Sequence, residues 1–177
     1  GVFFVSVMVL TFGQSTLYGA FPLFCESVLN YSPRDVGLLF MYMGFVGVIV
    51  QGVIIRRLSG RVPDRALFQT GTLLMFSGMA LIPFAASKTG LLFFLTVMSV
   101  GASLNMPAVQ SIISKSAGVN RVGSTMGQMQ AFAGLGRMSG PVWGGFFYGL
   151  NFRLPFILTA SVLACLFLVT FKLQKRT

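Results

Sequence analysis

Gly136-Arg137-Met138-Ser139-Gly140-Pro141-Val142-Trp143-Gly144-Gly145 lies inside a segment that is otherwise long and apolar enough to span a bilayer. Four glycines, a proline and an arginine share this stretch. In lipid, small residues let helix backbones approach closely, and a charge is unfavourable unless something pairs with it. The segment is therefore expected to pack tightly and to face a protein interior rather than lipid.

The rest of the chain has the same character. Of its 177 residues, 55% are hydrophobic and only 9% are charged, where a soluble domain carries about a quarter charged residues. No soluble fold hides that much apolar surface, so the composition indicates an integral membrane protein. Gly1 opens straight into an apolar run, which suggests a fragment of a longer chain. No basic region precedes that run, so it does not read as a signal peptide. A net charge of +10 would suggest nucleic acid in a soluble protein. Here it fits the cationic loops that orient membrane proteins. Cys25 and Cys165 read as buried free thiols with no metal-ligand spacing, and there is no histidine. An intramembrane enzyme needs a nucleophile with a base, or paired acids, within the membrane, and neither is present. No enzyme, metal site or cofactor is expected.

Six stretches approach the roughly 20 apolar residues that a spanning helix needs, at about 2–28, 34–55, 66–87, 90–114, 123–149 and 153–172. Ser32-Pro33-Arg34-Asp35 reads as a helix start, with Ser32 as N-cap, Pro33 in the first position and Asp35 in the first turn. Arg56 to Arg65 reads as a basic loop containing Gly60 and Pro63, and Lys88-Thr89-Gly90 as a tight turn. Lys115 to Arg121, with Gly118 and Asn120, and Asn151-Phe152-Arg153 form the last two connections. Arg56, Arg57, Arg61, Arg65, Lys115, Arg121, Lys172, Lys175 and Arg176 fall on one side of this topology. Arg34, Lys88 and Arg153 fall on the other, diluted by Glu26 and Asp35. The positive-inside rule then places both ends in the cytoplasm, consistent with an even number of spans and a plasma-membrane location. Asn30…Arg34-Asp35-Val36-Gly37, leading to Gly44 and Gly47, echoes Asn120-Arg121-Val122-Gly123, leading to Gly127 and Gly134. Such an echo fits either a three-plus-three inverted repeat or two glycine-rich helices that are alike by chance.

Six spans, a basic second loop and the pattern Gly136-x-x-x-Gly140-Pro141-x-x-Gly144-Gly145 resemble one half of a major facilitator superfamily transporter. These glycines and Pro141 match that family's antiporter-type motif. Gly52-Val53-Ile54-Ile55-Arg56-Arg57-Leu58-Ser59-Gly60-Arg61 resembles its cytoplasmic loop motif, whose positions Gly52, Arg56, Arg57, Gly60 and Arg61 occupy here. Arg56 stands where the family has an acid and Ser59 where it has glycine, so a gating salt bridge at this loop is not supported. The resemblance implies an all-α polytopic membrane bundle over residues 1–177, one six-helix domain of a twelve-helix fold. It is most similar to the carboxy-terminal half in the drug and tetracycline efflux branch. The missing amino-terminal half, membrane lipid and a small-molecule substrate are the implied partners, and nucleic acid is not.

Polar residues within spans mark interfaces or cavities. Thr11, Gln14, Ser15 and Tyr18 share one helical face, Ser99, Ser103 and Gln110 another with Asn105 beside it, and Met126, Gln130 and Arg137 a third. Gln14, Tyr18, Asn105, Gln130 and Arg137 are the candidate cavity residues, the alternative being hydrogen bonds between helices. Arg137 sits roughly 20 Å from the start of its span. It reads as a fixed charge for an anionic group, or as a structural arginine bonded near Pro141 or reaching to the interface. Pro141 could also let its helix bend between inward- and outward-open states. Glu26, Asp35 and Asp64 are the only acids, all near span ends. If transport is proton-coupled, the protonation switch belongs outside this segment. The leading expectation is a secondary transporter exporting amphipathic molecules. A metabolite or sugar importer of the same fold, and a non-transporting scaffold or channel, are the alternatives.

Overall fold

The computed structural model describes residues 2–58, 60–85, 87–117 and 121–174, which form helices and no strand. Ser59, Gly118, Asn120, Lys175 and Arg176, on which parts of the loop, turn and charge expectations fall, lie outside the described residues. The helices are α1 (Val2–Ser27), α2 (Pro33–Leu58), α3 (Asp64–Phe84, its last turn 3₁₀), α4 (Lys88–Ser116), α5 (Val122–Leu150) and α6 (Leu154–Gln174).

Local chemistry sets the ends. Ser32 Oγ accepts from the Asp35 N–H at 3.3 Å and Asp35 Oδ2 accepts from the Ser32 N–H at 3.0 Å, a reciprocal cap with Pro33 in the first turn. Lys88-Thr89-Gly90 is not a turn. Ser87 caps α4 by accepting from the Gly90 N–H at 3.1 Å, so these three residues are the helix's first turn. Arg56 and Arg57 likewise are not in a loop. A π-helical segment, Val50–Ile55, carries α2 onward, and Arg56–Leu58 complete it. The chain reverses at Gly60, whose φ of +81° lies in the left-handed region that favours glycine.

All the helices except α5 are both long and apolar enough to cross a membrane. α5 has the length, at 29 residues, but Gln128, Gln130, Arg137 and its many glycines dilute its hydropathy. The expectation that 123–149 is apolar enough to span, apart from its glycines, proline and arginine, is thus not met by this helix's hydropathy. A helix that faces protein needs backbone proximity more than greasy side chains.

Two tight seams organise the bundle. α5 lies along α1 with Gly136 against Thr11 and Met8, Gly140 against Ser15 and Phe12, and Gly144 against Thr16 and Ala20. α3 lies along α4 through Gly71, Gly78 and Gly101, where a Cβ on Gly78 would come within 2.6 Å of the Met98 backbone nitrogen. α2 packs on α4, where Tyr42 and Thr96 hydroxyls meet at 2.7 Å. α6 packs on α1 and α3 over buried Phe156 and Leu163. Exchanging α1–α3 with α4–α6 maps the α1–α5 pairing onto α4–α2 and the α3–α4 pairing onto α6–α1, and all four pairings are present. That is the neighbour pattern expected of a three-plus-three repeat.

Candidate functional site

Three helices leave a groove of about 520 Å³ between them. α1 contributes Gln14 and Tyr18, one turn apart. α2 contributes Phe40, Met43, Gly44, Gly47, Val48 and Gln51, and α4 contributes Met98, Ser99, Ala102 and Ser103. On α2 the spacing Phe40, Gly44, Gly47, Gln51 keeps one face toward the groove, and its two glycines supply the trough. A Cβ at Gly44 would meet nothing within 4 Å. Tyr18 and Phe40 form a tilted ring pair with centroids 5.6 Å apart, and Gln14 Nε2 donates to Tyr18 Oη at 3.4 Å. Ser99 Oγ is buried in this lining without a hydrogen-bond partner among the described residues. The groove thus offers aromatic and thioether surface with neutral hydrogen-bonding groups, and no carboxylate, lysine, arginine or histidine lines it.

The expected shared face on α1 divides. Thr11 and Ser15 are buried against the α5 glycines, whereas Gln14 and Tyr18 reach the groove. On α4, Ser99 and Ser103 line it, and Gln110 is exposed outside it. Asn105 is placed elsewhere. It is 1% exposed at the α3–α4 seam, where Oδ1 accepts from Thr72 Oγ1 at 3.3 Å and Nδ2 faces Met75 Sδ at 3.9 Å. There the close approach of Gly71 and Gly101 closes the space around it. Asn105→Ala is expected to lower stability by about 1–3 kcal/mol while leaving substrate selectivity unchanged. Paired melting and transport assays on the full-length protein check this, and a changed substrate profile at wild-type stability would reverse the assignment.

Gln130 and Arg137 are both exposed on α5. The Arg137 side chain has no hydrogen bond or ion pair among the described residues, which does not support the reading as an arginine bonded near Pro141. α5 continues unbroken through Pro141. Phe40, Met43, Gly44, Gly47, Gln51 and Met98 are not among the cavity residues expected from the sequence, although the glycine spacing on α2 carries that information. Pro22, Pro107 and Pro141 each sit inside a helix and remove the donor to the carbonyl four residues earlier. Those carbonyls belong to Tyr18, Ser103 and Arg137, two of them groove residues.

At the end of α2, Arg56, Arg57 and Arg61 surround a basin of about 590 Å³ with Gly52 and Val53, which gathers most of the loop motif at one place. At the same end of the α3–α4 pair, Asp64 Oδ2 accepts from Ser111 Oγ at 2.7 Å and pairs with Lys115 Nζ at 2.6 Å.

A family model described as the Major Facilitator Superfamily matches residues 3–177. The chain belongs to this superfamily. Its members are integral, multi-pass membrane transporters and not enzymes. The chain is 27% identical over 166 residues to multidrug resistance protein 2 of Bacillus subtilis, a match that covers 90% of this chain and 40% of that protein. It is 23% identical over 173 residues to the quinolone resistance protein NorA of Staphylococcus aureus, covering 97% of this chain and 44% of that protein. The crystal structure of the human organic anion transporter MFSD10 (TETRAN) superposes with a TM-score of 0.83 at 20% identity, over 96% of this chain and 39% of that one. The superfamily chain therefore spans about two fifths of the length of its relatives.

Proposed function

We propose that this chain is the carboxy-terminal half of a secondary active transporter that exports amphipathic small molecules by alternating access. The carrying observation is the groove between α1, α2 and α4. Tyr18, Phe40, Met43 and Met98 supply adaptable apolar surface, and Gln14, Gln51, Ser99 and Ser103 supply neutral polar contacts. Such a surface suits ligands with one greasy face and a few polar groups. The drug-resistance relatives support the same reading. On this reading the other half of the protein closes over the groove, both ends of the segment are cytoplasmic, and the protein resides in the plasma membrane. No cofactor takes part. Any proton coupling runs through a group outside this segment, because Glu26, Asp35 and Asp64 all lie at helix ends.

The test compares cells with and without the full-length gene. Loss of the gene is expected to raise dye accumulation and sensitivity to amphipathic inhibitors several-fold, and collapsing the pH gradient is expected to abolish the difference. Equal accumulation in both strains across a broad panel would remove the export reading. Faster uptake of a nutrient in gene-bearing cells would replace it with the importer.

A further inference from the structure

Arg137 sits near the middle of α5, roughly 22 Å from its start at Val122 and 20 Å from its end at Leu150 at 1.5 Å per residue. Both distances far exceed the reach of an arginine side chain, so it does not escape to either interface. The glycines facing α1 fix the helix's rotation. Arg137, with Gln130 and Pro141, lies about a quarter turn from Gly136, Gly140 and Gly144. Successive contacts from Gly136–Met8 to Gly144–Ala20 show that α1 and α5 run parallel. For parallel helices, this flank of α5 falls on the same side of the pair as Gln14 and Tyr18 of α1. The opposite flank is occupied by Trp143, which meets Phe12 edge to face with ring centroids 5.6 Å apart. Beside Arg137 the space is open, since a Cβ at Gly134 would meet nothing within 4 Å.

A guanidinium at membrane depth needs an anion. Among the described residues none is available. Asp64 is held by Lys115 and Ser111, Asp35 caps α2, and Glu26 is at the far end of α1. We infer that Arg137 is a mid-membrane oxyanion site on the cavity side, taking a carboxylate or similar group that these residues do not supply. The planar guanidinium matches such a group in bidentate fashion. The oxyanion comes either from a substrate or from an acidic side chain elsewhere in the complete protein. Only the first source rests on the transporter reading.

Binding and melting measurements on the purified full-length protein, independent of transport, separate the sources. Fluorescein and rhodamine 123 share a ring system and differ in charge. If the substrate supplies the oxyanion, R137Q weakens fluorescein binding roughly tenfold or more while rhodamine 123 binding is unchanged, as expected for loss of a charge-assisted pair. If the protein's own acid supplies it, R137Q leaves the contrast between the dyes unchanged but melts several degrees lower, and R137K recovers most of the difference. Should R137Q fail to insert, R137K reads the same two contrasts at smaller amplitude. The inference is overturned if R137Q and R137K match the wild type in both dyes and in melting. It is equally overturned if R137K melts as low as R137Q without a change in dye contrast, since shape rather than charge would then be at stake.

Discussion

Gly140→Leu is expected to leave no folded protein to purify, and Gly140→Ala to melt well below the wild type. A Cβ at Gly140 would stand 2.6 Å from Ser15 Cβ and 2.8 Å from the Phe12 carbonyl oxygen and the Thr16 nitrogen. Backbone atoms cannot rotate aside as a flexible side chain can, so α1 and α5 must move apart. Overpacking a tight core destabilises by about 1–3 kcal/mol even where side chains can adjust, and here the neighbours are main chain. Separation would also loosen Gly136 from Met8 and Gly144 from Thr16, because the same two helices carry all three contacts. Gly145→Ala is the matched comparison. Its Cβ meets nothing within 4 Å, and alanine is favoured over glycine in a helix by about 1 kcal/mol. Melting curves of the full-length variants decide the matter. Gly140→Ala and Gly145→Ala melting together would mean that the α1–α5 seam is not the close packing described.

This seam shows where the sequence is readable. A four-residue glycine spacing repeats one helical face, and its meaning as close packing was plain from Gly136, Gly140 and Gly144 before any partner was known. The partner was not plain, because many helices could have offered Thr11 and Ser15 a neighbour. Helix starts at Ser32 and the six-helix order were legible for the same local reason. The π-helical stretch that carries Arg56 and Arg57 into α2 was not, since nothing in Val50–Ile55 breaks an α-helical pattern. Among the candidate site residues, Gln14 and Tyr18 reach the groove and Asn105 does not. A buried amide inside a span satisfies itself equally well in a seam or in a cavity, and only the rotation of α4 against Gly71 separates the two outcomes. The groove's own glycines, Gly44 and Gly47, echo those of α5 in the sequence but do not mark a trough there, because an absent side chain has meaning only once its surroundings are known.

Gly44 therefore carries the second large effect. Gly44→Phe is expected to raise KM for bulky amphiphiles roughly tenfold or more, with protein abundance at the wild-type level. The trough exists because residue 44 has no side chain between Phe40 and Gln51, on a helix that turns this face to Ser99 and Ser103. A phenyl ring there occupies volume that a ligand would otherwise fill, and the lost apolar contact is worth about 25 cal/mol per Å². Folding is not expected to suffer, because the Cβ position is open and leaving glycine raises helix propensity. A size series separates blockage from distortion. Gly44→Ala should transport nearly as the wild type does, Gly44→Leu should impair large substrates before small ones, and Gly44→Phe should impair both. The opposite behaviour at Gly140, where the smallest added group already harms the fold, distinguishes a glycine kept for helix contact from one kept for a ligand. Wild-type transport by Gly44→Phe across substrate sizes would show that the ligand passes elsewhere and that this groove is only a gap between helices.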